Sequence, residues 1–193
     1  MLHKGDSYAV LMVCTGNICR SVMAEQVLRE ALETCSFSGK VKVDSCGISD
    51  EEYGNPPDRR AARVLAENGY KVPQHRARQI CGNDFEHYDL ILAMTSGHLH
   101  SVQRLAQRYS TGSTDIRMYR SFDPQGTGAT SQSHPKGTRD SRWLHQWESS
   151  LDVPDPWYGT YDDFVDTLDL IERVTPYIVD DIRAYFDSQH LSR

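Results

Sequence analysis

Cys14 and Arg20 stand six residues apart in the run Val13-Cys14-Thr15-Gly16-Asn17-Ile18-Cys19-Arg20-Ser21, so one short loop begins with a thiol and ends with a guanidinium. A planar guanidinium grips two oxygens of a phosphoryl group at once and holds phosphorus in line with a nucleophile beneath it. Backbone N–H groups of Thr15 through Arg20, at a strand-to-helix turn, add an anion cradle backed by the helix dipole. That field also suits an ionised sulfur, because helix N-termini and nearby cations favour the thiolate of a cysteine. Thiolate attack on a phosphate ester gives a phosphocysteine and expels an alcohol or phenol, and water then hydrolyses the intermediate. Gly16 and Asn17 reach positive φ at least cost, and Ser21 is placed to hydrogen-bond the sulfur. A cysteine alone reads as core, and Gly-Asn alone as an ordinary turn. Arg20 at this spacing favours the phosphate trap over both.

The flanking segments position that loop. Tyr8–Val13 is apolar and partly β-branched, as a buried strand is, and Ser21–Leu28 reads as a helix start. Further strands are expected at Val41–Ser45, Tyr88–Met94 and Ile116–Tyr119. Helices are expected at Asp58–Asn68, ending at Gly69, at His98–Tyr109, and at Asp162–Phe186 with a break or kink at Pro176. This alternation predicts a three-layer α/β fold, a four-stranded parallel sheet with helices on both faces. Ligands of such sheets sit beyond the carboxyl ends of the strands, where Cys14 falls. Residues 123–152 stand apart. They are rich in Gly, Ser, Thr and Gln as far as Arg139, which predicts a mobile loop. Trp143, Leu144, Trp147 and Leu151 then recur at helical spacing, which predicts a short packed helix.

With 193 residues, 38% of them hydrophobic, the chain suits a single domain spanning 1–193 with an ordinary core. No apolar run is long enough to cross a bilayer and no separate signal segment precedes the first strand, so no membrane association and a cytoplasmic location are expected. Cys14, Cys19, Cys35, Cys46 and Cys81 are odd in number and form no CxxC pair. Reduced thiols are expected rather than disulfides or a zinc site, with no metal and no cofactor; Cys35, Cys46 and Cys81 read as packing residues. A net charge of −6 disfavours nucleic-acid binding. Arg59, Arg60, Arg63, Arg76 and Arg78 offer a local basic rim, read as mostly solvated.

The loop resembles the signature of the low-molecular-weight protein tyrosine phosphatases. Asp155-Pro156-Trp157-Tyr158-Gly159 matches that family's acid loop, and Ser45–Ile48, Gly54–Arg59, His75–Gln79 and Asp89–Met94 are also family-like. The resemblance implies a flavodoxin-like strand order 2-1-3-4, Cys14 as nucleophile, Arg20 as phosphate clamp and Asp155 as general acid. A positioned carboxyl contributes about 10²- to 10⁴-fold, and the same group can later activate water. Thr15, Gly16, Asn17, Ile18, Cys19 and Ser21 would line the substrate site, with Trp157 and Tyr158 as flat walls for a phenyl ring. Ser45 and His75 would support the loop. Cys19 matches a second loop cysteine able to form a reversible disulfide with the nucleophile. Implied partners are tyrosine-phosphorylated proteins, with inorganic phosphate as product, acted on by a monomer or weak dimer.

Three positions depart from the family pattern. Glu51 stands where an aromatic wall is usual, with Tyr53 two places on; Thr95 replaces the carboxylate after the third-strand Met; and the connection 123–152 is a long insertion. Two other enzymes of this fold are alternatives. An arsenate reductase needs relay cysteines, of which only Cys81 is near the relevant region; a protein-arginine phosphatase is expected to carry Thr where Ile18 stands. A phosphate-binding module without turnover is the non-enzymatic alternative, against which Cys14, Arg20 and Asp155 together argue.

Overall fold

The computed structural model describes residues 7–109, 114–125 and 151–191. β1 (Tyr8–Cys14) is buried along almost all its length, as the inner strand of a parallel sheet must be. β2 (Val41–Gly47) pairs with it in parallel, Tyr8 opposite Val41 and Cys14 opposite Gly47. β3 (Leu90–Ala93) lies on the other side of β1, and β4 (Asp115–Met118) lies beyond β3. The order is β2-β1-β3-β4, all parallel, which is the expected 2-1-3-4.

Side chains alternate across the pleat and feed two cores. Val10, Met12, Leu90 and Leu92 meet Met23 and Val27 of α1 (Arg20–Glu33), Leu65 of α2 (Arg59–Glu67), and Phe164 and Ile171 of a C-terminal helix. Leu11, Val13 and Ile91 meet Phe85 of α3 (Asp84–His87) and Val102 of α4 (Ser96–Tyr109) on the opposite face. These are the three layers predicted.

Element ends differ from expectation for local reasons. α4 begins two residues early because Thr95 Oγ1 accepts the His98 N–H (3.2 Å) and Asp152 Oδ1 accepts the Ser96 N–H (2.6 Å). Tyr119 leaves β4 and opens a 3-10 turn, Tyr119–Phe122, with its ring fully buried. Tyr88 closes α3, a short helix the periodicity does not reveal, so β3 is shorter than expected. The break expected at Pro176 is a correction: α5 (Tyr161–Leu191) runs through it. Pro176 lies on the exposed face, where the Glu172 carbonyl that loses its donor is not sealed in the core, while Val174, Thr175 and Ile178 are buried and pin both sides. The loop and helix expected within 123–152 lie mostly outside the described residues; Leu151, at the end of that span, is in no regular element. Among the described residues no helix is long and apolar enough to cross a membrane, and no cluster of His, Cys, Asp and Glu is arranged to hold a metal.

Candidate active site

Cys14 ends β1 at the floor of a cavity of about 290 Å³ and is 3% exposed. Its Sγ accepts the Asn17 N–H at 3.3 Å and lies 3.0 Å from Ser21 Oγ. The chain then wraps into α1, whose first residue is Arg20, so the positive end of the helix faces the sulfur. Asn17 takes the left-handed conformation at φ 61°. Asn17 alone therefore supplies the positive φ the loop needs; the bare Cα of Gly16 gives room instead, since a Cβ there would lie 2.9 Å from Glu52 Cγ.

Asn17 is fully buried and every polar group it carries is bonded. Nδ2 donates to Ser21 Oγ (3.0 Å) and Ser45 Oγ (2.8 Å), and Oδ1 accepts the Arg78 N–H (3.0 Å). Its carbonyl accepts from His75 Nε2 (2.8 Å). Ser45 Oγ donates onward to Glu25 Oε2 (2.5 Å), which lies 3.9 Å from His75 Nδ1. Ser45 and His75 thus clamp Asn17 from behind. Gly47 completes the backing, because a Cβ on it would run into the Thr15 carbonyl oxygen.

Arg20 is buried, and one guanidinium nitrogen donates to Asp155 Oδ2 at 2.6 Å and another to the Val153 carbonyl at 3.3 Å. Asp155 itself keeps a side chain 42% exposed to the cavity and solvent. Its Oδ1 accepts the Trp157 N–H (3.2 Å), while Gly159 N–H turns back to the Pro156 carbonyl (2.9 Å). Arg60 ties this turn to α2, donating to the carbonyls of Trp157 (3.2 Å) and Gly159 (3.1 Å) and pairing with Asp58. Its guanidinium also lies over the Trp157 and Phe164 rings. Trp157 is partly exposed and Tyr158 93% exposed, both on the cavity wall.

One cavity therefore brings together Cys14, Thr15, Gly16, Asn17, Ile18, Cys19, Arg20, Asp155, Trp157 and Tyr158, with Ser21, Ser45 and His75 behind it. Ile18 and Cys19 are buried, and burial, then the Asp58 charge, push the Cys19 thiol well above its ordinary pKa. Of the basic rim, Arg59, Arg63 and Arg76 are exposed, as expected, while Arg60 pairs with Asp58, Arg63 with Glu67, and Arg78 with Asp44 and Asp84. One expectation needs correction. Cys81 is exposed and Cys35 only half-buried; among the three presumed packing cysteines, Cys46 alone is fully buried. Glu25, Glu52, Gly47 and His98 escaped the sequence reading. Glu52, Gly47 and His98 act on the loop from other segments, and Glu25 from α1 through Ser45.

Residues 9–142 match the family described as low molecular weight phosphotyrosine protein phosphatase. A low molecular weight protein-tyrosine-phosphatase of Streptomyces coelicolor is 35% identical over 183 residues, 95% of this chain and 98% of the relative. The human low molecular weight phosphotyrosine protein phosphatase is 32% identical over 182 residues, 94% and 96% of the two chains. Among solved structures, YfkJ from Bacillus subtilis superposes with a TM-score of 0.73 at 27% identity, covering 94% of this chain and 98% of its own.

Proposed function

The chain belongs to the low molecular weight phosphotyrosine protein phosphatase family and is a cysteine-dependent protein tyrosine phosphatase; we propose that Cys14 is its nucleophile, Arg20 its phosphate clamp and Asp155 its general acid. The observation that carries this reading is the single cavity in which Cys14 Sγ, ringed by the Asn17 N–H and Ser21 Oγ, shares its walls with an Arg20 bonded to Asp155.

The phosphoryl dianion settles among the loop N–H groups, and Arg20 exchanges Asp155 and the Val153 carbonyl for two phosphoryl oxygens. That exchange frees Asp155 to face the leaving group. Cys14 sulfur attacks in line; the S–P bond forms as the ester P–O bond breaks, and the Asp155 carboxyl gives its proton to the departing phenol oxygen. In the second step Asp155, now a carboxylate, takes a proton from the attacking water. Water oxygen bonds to phosphorus, the S–P bond breaks, and the sulfur leaves as a thiolate that Ser21 Oγ stabilises. Inorganic phosphate is released.

Ile18, Trp157 and Tyr158 on the walls favour the flat ring of phosphotyrosine in protein substrates. Cys81 is absent from the residues lining the cavity, which disfavours the arsenate relay. Five free thiols support a reducing compartment, the cytoplasm, for a protein acting as monomer or weak dimer. Residues 1–193 are read as one phosphatase domain with its insertion at about 123–152, supported by relatives that align along nearly the whole chain.

The test compares turnover of phosphotyrosine, phosphoserine, phosphoarginine and arsenate by the wild type and Cys14→Ser. Preference for the aromatic ester, abolished in Cys14→Ser, is expected. Preference for phosphoarginine, Cys81-dependent arsenate reduction, or phosphate binding without turnover would each replace the reading.

A further inference from the structure

His98, the third residue of α4, is 5% exposed, and its Nε2 lies 2.9 Å from Thr15 Oγ1. Its Nδ1 is, among the described residues, a buried side-chain atom with no hydrogen-bond partner. Burial, then the Arg20 guanidinium, push the imidazole pKa down to about 4 against the pull of Asp155 and Asp152. The ring is therefore neutral near pH 7, and a single nitrogen carries the proton. An orphaned buried N–H is rarer than an under-used acceptor, so the bonding pattern assigns the proton to Nε2 and leaves Nδ1 bare. Nε2–H then donates to Thr15 Oγ1.

A hydroxyl whose oxygen accepts from His98 keeps its own hydrogen for a second partner. Thr15 is exposed on the wall of the cavity that holds Cys14 and Arg20, and its backbone carbonyl is already engaged by the Ser49 N–H at 3.1 Å. We propose that His98 is a positioning residue for phosphoryl transfer, aiming the Thr15 hydroxyl hydrogen into the cavity as a donor to the phosphoryl oxygens. This rests on Cys14 receiving the phosphoryl group. The pair joins residues 83 positions apart, so α4 reaches the reacting centre through one side-chain bond.

The test is p-nitrophenyl phosphate hydrolysis by His98→Leu, His98→Gln, Thr15→Val, Thr15→Ser and the His98→Leu/Thr15→Val double variant. One lost hydrogen bond to a charged group corresponds to about a tenfold fall in kcat/KM. That fall is expected in His98→Leu and Thr15→Val alike, with the double variant no worse than either. Thr15→Ser keeps the hydroxyl and His98→Gln keeps a donor, so each recovers most of the kcat/KM that Thr15→Val and His98→Leu lose. Additive losses in the double variant, or unimpaired Thr15→Val, would make His98 merely a structural tie and overturn the proposal. If His98→Leu fails to fold, Thr15→Val set against Thr15→Ser still decides it. Hydrolysis surviving in Cys14→Ser would instead remove the nucleophile assignment, a separate failure.

Discussion

Asn17 combines a left-handed backbone with five hydrogen bonds at a fully buried residue, three of them through its side chain, and two substitutions separate these contributions. Asn17→Ala removes both Nδ2 donors and the Oδ1 acceptor, and adds the strain of a plain β-carbon at φ 61°. Stranding the Arg78 N–H costs about 1–3 kcal/mol, and the lost bonds to Ser21 and Ser45 about 1 kcal/mol each. The left-handed region adds about 1–2 kcal/mol, for a total of roughly 5 kcal/mol, comparable to the whole stability of a marginal domain. Asn17→Gly loses the same bonds without the strain, but its extra freedom in the unfolded chain takes back up to about 1 kcal/mol. The two variants should therefore lie within about 1 kcal/mol of each other, both about 4–6 kcal/mol below wild type. Equilibrium urea unfolding reads this directly. A near-wild-type Asn17→Gly would show that backbone conformation, and not the side-chain hub, is what this position supplies.

Asp155→Ala should lower kcat/KM, which reports the step that expels the leaving group, by about 10²-fold or more for phosphotyrosine, and far less for p-nitrophenyl phosphate, whose leaving group needs no proton; equal losses of kcat/KM on both would remove its role as acid. Arg20→Lys keeps the charge but not the fork, so KM for p-nitrophenyl phosphate should rise and kcat fall together, measured by steady-state kinetics. Acidification reports on His98: with a folded pKa of about 4 against 6.5, the unfolded chain takes the proton first, so stability is lost as pH falls from about 6.5 towards 4. By pH 5 the loss is about 2 kcal/mol. The lowered pKa values of Asp44, Asp58 and Asp123 place their own losses at lower pH. Thermal unfolding of His98→Gln should show about 2 kcal/mol less destabilisation between pH 7.5 and 5 than wild type, and parallel curves would contradict this.

The catalytic loop was legible because its chemistry is local: thiol, turn residues and guanidinium occupy one continuous stretch whose flanks have strand and helix periodicity. Sheet order followed from the family resemblance, and the strand and helix cores from hydrophobic spacing. His98 was invisible because a lone histidine on a helix carries no pattern, and its meaning comes from Thr15, 83 residues away. Gly47 fell within the family-like Ser45–Ile48 segment, but its role, to let two backbones touch, shows only in the fold. Pro176 misled because the proline rule is local, whereas burial on both sides of it decides whether the helix continues. The pairing within the arginine rim was not legible, since its carboxylate partners come from α2, α3 and β2 as well as from neighbouring turns.

The Asp155 turn is tied down twice, by Arg60 through its backbone carbonyls and by Arg20 through the carboxylate, so an anion that takes over Arg20 releases the side chain while the turn that carries it stays fastened to α2.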